Sequence, residues 1–183
     1  MKLPEIKILD EKDSTLRLIS SEVSFPLPKE ELKRIKDIKN YLKMSQIDEY
    51  IEEYNLRAGM GLAFIQIGIP KRIFVIVEEQ DDHTFKNYVV INPKIISNSE
   101  ELVYVGEGEG CLSVNRDVEG IVPRFARMTV EAFDENGEKY TIRVREELAI
   151  AFQHELDHLN GILFIDKIDP KNPFKNKEMM REI

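Results

Sequence analysis

The sequence predicts an α+β fold in which most strands are antiparallel. Three observations carry this: helical periodicity comes first, a run of short β-rich segments follows with one tight hairpin, and no repeat or low-complexity linker interrupts the chain. The first helix starts at Pro28, whose missing N–H costs nothing in a first turn. Beyond it Leu32, Ile35, Ile38 and Leu42 recur at three- and four-residue intervals among Lys and Glu, the stripe of a helix with one face in a core. IDEYIEEYN predicts a second, shorter helix, with Ile47, Tyr50, Ile51 and Tyr54 facing the core until Gly59 and Gly61 interrupt it.

Residues 73–77, 87–91, 102–105, 128–133 and 139–145 are rich in β-branched and aromatic side chains and bounded by turn residues, so each predicts a strand. Between the last two, Asn136-Gly137 supplies the positive φ of a tight hairpin. EELAIAFQHELDHLNG then reads as one amphipathic helix. Leu148, Ile150, Ala151, His154 and Leu159 cluster on one side of it, and Asn160-Gly161 end it. ILFID is expected to form a last strand, and the tail, with Pro170 and Pro173, to be loosely structured.

A chain of 183 residues suits one domain, here residues 1–183, with one substantial core. No window approaches the roughly 18 uninterrupted apolar residues of a membrane span, so a soluble protein with no membrane partner is expected. MKLPEIKILDEKDS lacks the apolar centre of an export signal, which points to the cytoplasm. A net charge of −8 with scattered basic residues argues against direct nucleic-acid binding through phosphate neutralisation. Cys111 is the single cysteine, so no intrachain disulfide forms and the thiol is a buried filler, a nucleophile or a metal ligand.

QHELDH carries the strongest chemical signal. His154 and His158 stand one helical turn apart on one face and can present two ring nitrogens to one point. Glu155 lies about 100° round the axis, within reach of a water at that point. A catalytic metal needs a third protein ligand and one open position. A metzincin would have a third histidine where this chain has Phe164. Glu178 stands near the offset of a thermolysin-type ligand, but Pro170 and Pro173 leave little helix to hold it. Cys111 is the third candidate, although taken alone it reads as a small buried hydrophobe. Around it, in GEGEGCLSVNR, the two glutamates would repel phosphate, so Gly106, Gly108 and Gly110 suit a close approach of backbones. In AGMGLAFIQIG the third glycine of a dinucleotide fingerprint would fall at Phe64, after a helix instead of a strand. What remains there is a glycine turn leading to Gln66, whose amide nitrogen donates two hydrogen bonds.

GMGLAFIQIG, EGCLS and HELDH, in this order and spacing, resemble the peptide deformylase family, and VPR (122–124), AFDENG (132–137) and HLNGILFID (158–166) extend the likeness. The helical stretch before Gly59 and the short proline-bearing tail are similar to the second bacterial class. The resemblance implies antiparallel sheets packed around a central HExxH-bearing helix. It implies removal of the formyl group from the N-terminal formyl-methionine of new polypeptides, with release of formate. Cys111, His154 and His158 would be the metal ligands and Glu155 the general acid/base. The Gln66 side chain and the Leu112 N–H would bind the formyl oxygen, and Gly61 and Gly110 would line the substrate groove. Ile150 and Ala151, with Phe64 or Leu62, are apolar residues around the helix that form either a pocket for the methionine side chain or plain core. Ferrous iron is the expected metal, with nickel, cobalt or zinc as substitutes. The expected partners are N-formyl-methionyl nascent peptides, met transiently at the ribosome by a monomer. Glu109 is expected either to support a ligand or to pair with Arg124, and His83 to sit in a surface loop. Phe64 and Ile65 replace the family's small residue and proline before Gln66, and Asn115 stands where many members have proline or aspartate. Phe64 is therefore expected to narrow or reshape the groove.

Overall fold

Pro28 stands just before helix α1 (Lys29–Met44), and Glu30 and Glu31 in its first turn face the positive end of the helix dipole. In this computed structural model residues 2–183 are described. Ile35, Ile38 and Leu42 are buried but Leu32 is exposed, so the inward stripe is one residue shorter than its periodicity predicts. Helix α2 (Asp48–Tyr54) forms in the second helical stretch, yet none of its residues is fully buried. Asn55, at φ 51°, ends it after two turns, before an apolar face can build up.

Eight strands follow among the described residues: β1 (Gly61–Ala63), β2 (Ile73–Glu79), β3 (Phe85–Asn98), β4 (Leu102–Tyr104), β5 (Arg124–Phe125), β6 (Arg127–Phe133), β7 (Lys139–Arg145) and β8 (Arg181–Glu182), with helix α3 (Glu146–Leu159) after β7. β1, β2, β3, β6 and β7 make one antiparallel sheet in that order, and β5, β4 and β8 make a smaller one in which β8 runs parallel to β4. All five strand segments expected from the sequence are present. At the β6–β7 hairpin Gly137 takes φ +82°, and the Asp134 carboxylate accepts the N–H groups of Asn136 and Glu138.

The large sheet is covered on both faces, which is why IFVIV is an unbroken apolar run. Ile73, Val75 and Val77 point to α1, where they meet Ile35, Ile38, Leu42, Leu62 and Phe64. Phe74 and Ile76 point the other way, into a core with Val90, Val130, Phe152 and Leu156 of α3. Phe74 meets Phe152 edge to face at 5.5 Å. Helix α3 is therefore buried around most of its circumference, the central helix the resemblance implies. No helix among the described residues is long and apolar enough to cross a membrane.

Two further expectations fail. ILFID is not a strand: Phe164–Lys167 is a 3-10 turn, because the Asp166 carboxylate accepts the Leu163 N–H at 2.9 Å and is paired with Arg17 from far upstream. Nor is the tail loose. β8 pairs with Val103 and Tyr104 of β4, and Arg181 is bonded to both Glu101 and Glu146.

Candidate metal centre and cleft

His154 and His158 sit one turn apart on α3, with ring centroids 5.0 Å apart. Cys111, in the loop between β4 and β5, brings its Sγ to 3.4 Å from His158 Nε2. One ligand atom from each of the three residues lies within 4.8 Å of the others. A thiolate and two imidazoles gathered this closely fit one borderline-soft divalent cation, and three protein ligands leave a fourth position open. Glu178, the rival third ligand, stands apart from this cluster, in a separate depression beside Met179 and Arg181.

The surroundings fix the ligands. His154 Nδ1 is 2.9 Å from Glu109 Oε1, so donation there leaves Nε2 as the free lone pair. Arg124, 2% exposed, donates to Glu109 at 2.8 and 2.9 Å and to Asp157 Oδ2 at 2.6 Å. Both roles expected of Glu109 are thus present at once. Burial works to raise the Glu109 carboxyl, but hydrogen bonds from His154 and Arg124 hold it at about 2. Burial also opposes charge on the imidazoles. It takes His158 well below the ordinary histidine value, whereas Cys111 and Glu109 hold His154 well above it.

Glu155 is 3% exposed. Its Oε2 is buried without a hydrogen-bond partner, and its Oε1 lies against Gly61. Burial pushes this carboxyl up to about 7, against the pull of His154 and Arg124. Gln66 follows β1 in a 3-10 turn. Its amide oxygen accepts the Ala63 N–H at 2.9 Å, while Nε2 donates to Ser113 Oγ at 3.1 Å and faces Cys111 Sγ at 3.7 Å.

These groups border an open cleft of about 350 Å³. Gly61, Gln66, Gly110 and Leu112 lie along it with the Cys111–Glu155 end. Ile150 and Ala151 line it too. Phe64 and Leu62 do not. Both are fully buried under α1, because β1 turns them to the face opposite α3, so Phe64 does not narrow the groove. Asn115 is drawn away as well, accepting from Arg57 Nη1 at 2.6 Å and donating to Asp10. His83 is exposed and pairs with Glu79.

Sequence reasoning missed Arg57, Val105, Glu147 and Ile183, all in the cleft walls. Arg57 Nη2 donates to the carbonyls of Cys111 (3.0 Å) and Val114 (2.9 Å), pinning the loop that carries the thiol. No motif marks any of the four.

The polypeptide deformylase family model matches residues 6–174. The chain is 46% identical over 169 residues to peptide deformylase 2 of Geobacillus stearothermophilus, covering 92% of this chain and 91% of that one. It is 44% identical over 167 residues to peptide deformylase 2 of Bacillus cereus, covering 91% of each. Among solved structures it is similar to a peptide deformylase from Thermotoga maritima (TM-score 0.72, 30% identity, 90% of this chain and 98% of that one). It is also similar to a Met-Ala-Ser-bound peptide deformylase from Acinetobacter baumannii (TM-score 0.71, 28% identity, 91% and 100%).

Proposed function

The chain belongs to the peptide deformylase family of metal-dependent hydrolases, and from that membership we propose that it acts on the N-terminal formyl-methionine of newly made polypeptides, with Glu155 as its proton carrier. The observation behind the Glu155 role is the unpartnered, buried Oε2 beside the Cys111, His154 and His158 cluster. A divalent cation held by those three residues supplies Lewis acidity, lowering the pKa of water toward neutrality. In the proposed reaction a water oxygen bonds to the formyl carbon as Glu155 Oε2 takes its proton. The C–N bond then breaks, the proton passes from Oε2 to the departing amine, and formate leaves. The Gln66 amide and the Leu112 N–H donate to the carbonyl oxygen as charge builds on it. Gly61 and Gly110 give the peptide backbone room, and Ile150 and Ala151 receive the methionine side chain.

Ferrous iron is the proposed metal, with nickel, cobalt and zinc as substitutes; the cysteine and two histidines suit all four, and the family likeness favours iron. The relative bound to Met-Ala-Ser supports a peptide product in this cleft. The proposal extends to a monomer of one catalytic domain, residues 1–183, that works in the cytoplasm and meets nascent chains at the ribosome.

The test is formate release from formyl-Met-Ala-Ser by protein purified without oxygen and loaded with iron or nickel. Wild type should release formate, Glu155→Ala should keep its metal and lose roughly 10²- to 10⁴-fold in rate, and Cys111→Ala should lose metal and activity. A Glu155→Ala protein of full activity would overturn the proton-carrier role.

A further inference from the structure

We infer that Ile183, carried into the cleft wall by β8, is a specificity-determining residue for the first side chain of the substrate. The inference rests on the reading of the cleft as a site for formyl-methionyl peptides. The backbone of Ile183 is clamped on both sides of Val105: its N–H donates to the Tyr104 carbonyl at 3.0 Å, and its carbonyl accepts the Gly106 N–H at 3.2 Å. Its side chain packs in one apolar cluster with Val103, Val105, Ala126 and Ile150. Ile183, Val105 and Ile150 all border the cleft. Ile150 precedes His154 by four residues, so it stands one helical turn from the metal ligand on the same face of α3. In a formyl-peptide three bonds separate the formyl carbon from the first β-carbon. A formyl group held at the metal centre therefore places the first side chain about one turn away, against this patch.

The tail is anchored for such a role. Arg181 donates to Glu101 at 2.9 Å and grips Glu146, the first residue of α3, with two bonds of 2.8 Å. Tyr104 donates to Glu182 at 2.9 Å. Gly106 lets Glu182 lie where a β-carbon would collide with it. β8 thus joins the loop side of the cleft to the helix side, and Ile183 sits at the seam.

The experiment compares kcat and KM of nickel-loaded wild type, Ile183→Ala and Ile183→Val on formyl-Met-Ala-Ser, formyl-norleucyl-Ala-Ser and formyl-Ala-Ala-Ser. Wild type should favour the two long side chains. Ile183→Ala should lose roughly ten-fold in kcat/KM on them, through KM, while formyl-Ala changes by less than about two-fold and metal content stays constant. Ile183→Val, which removes one methylene and keeps the strand, should shift the same ratio by about four-fold, so the test survives poor folding of the alanine variant. An equal loss on all three substrates, or no change on any, would overturn the inference and leave Ile183 a packing residue. A wild type that does not distinguish methionine from alanine would instead overturn the methionine-pocket reading, and this inference with it.

Discussion

Gly61 and Glu155 are in such close contact that a β-carbon at position 61 would lie 2.5 Å from Glu155 Oε1 and 2.9 Å from its carboxyl carbon. A strand glycine and a helix glutamate, far apart in the chain, thus define each other's position.

Gly61→Ala should displace the Glu155 carboxylate without touching a metal ligand. The expected result is a loss of roughly 10²-fold in kcat, the scale of a misplaced general base, with metal content and far-UV circular dichroism unchanged. Gly110→Ala, where no atom beyond the adjacent residues lies within 4 Å of the added carbon, is the control for a glycine change that folds and binds metal normally. Full activity in Gly61→Ala would mean that Glu155 relaxes freely, against its burial.

Arg124 neutralises two carboxylates, Glu109 and Asp157, and is itself buried. Arg124→Ala would leave both without their guanidinium, so a loss of about 3–5 kcal/mol in urea unfolding is expected. Glu109→Gln is milder for the fold, since an amide oxygen can still face His154, but it removes the charge that raises ligand basicity. Metal affinity, read by competition with a chelator, should fall roughly 10- to 100-fold. Unchanged affinity would reduce Glu109 to a partner of Arg124.

The parts of this molecule legible in its sequence are those specified locally. The four-residue spacing of His154 and His158 is fixed by helix geometry, and the β-branched and aromatic run IFVIV and the Asn136-Gly137 turn are equally local. What escaped depends on distant partners. Asp166 bends ILFID into a turn because Arg17 and the Leu163 N–H meet its carboxylate. The tail becomes a strand because β4 offers an edge. Phe64 stays out of the cleft because β1 is covered by α1, which no spacing within GMGLAFIQIG reveals. Arg57 and Ile183 reach the cleft through contacts with Cys111 and Val105 that the sequence does not encode as a motif.

The Arg17–Asp166 pair predicts a pH dependence of stability. Burial alone would raise the Asp166 carboxyl, but Arg17 and the Leu163 N–H hold it below its ordinary value. An acid with a depressed folded pKa contributes stability above its unfolded value, about 3.9, and loses it as pH falls through the folded one. Asp166→Asn retains an acceptor for Leu163 but not the charge. Its deficit relative to wild type should be constant near neutral pH and shrink below about pH 4. Because the carboxylate is partly exposed, high salt should narrow the difference as well. Urea unfolding across that range measures both effects.

Chelation should lower stability without unfolding the protein. Cys111 is held by its own apolar neighbours, Val114, Val122 and Phe164, and its carbonyl by Arg57, while α3 is fixed by the main core. The three ligands are thus gathered by packing, and a cation that binds only the folded state adds to it by mass action, about 2.7 kcal/mol at a free concentration one hundred times its Kd. The melting midpoint should fall on chelation and recover on adding nickel, with the far-UV spectrum intact at low temperature throughout. Cys111→Ser should abolish most of that metal-dependent shift, and Glu155→Ala should retain it, which separates holding the cation from moving the proton. Loss of the far-UV signal on chelation would mean that the cation, and not the apolar clusters, draws the Cys111 loop onto α3.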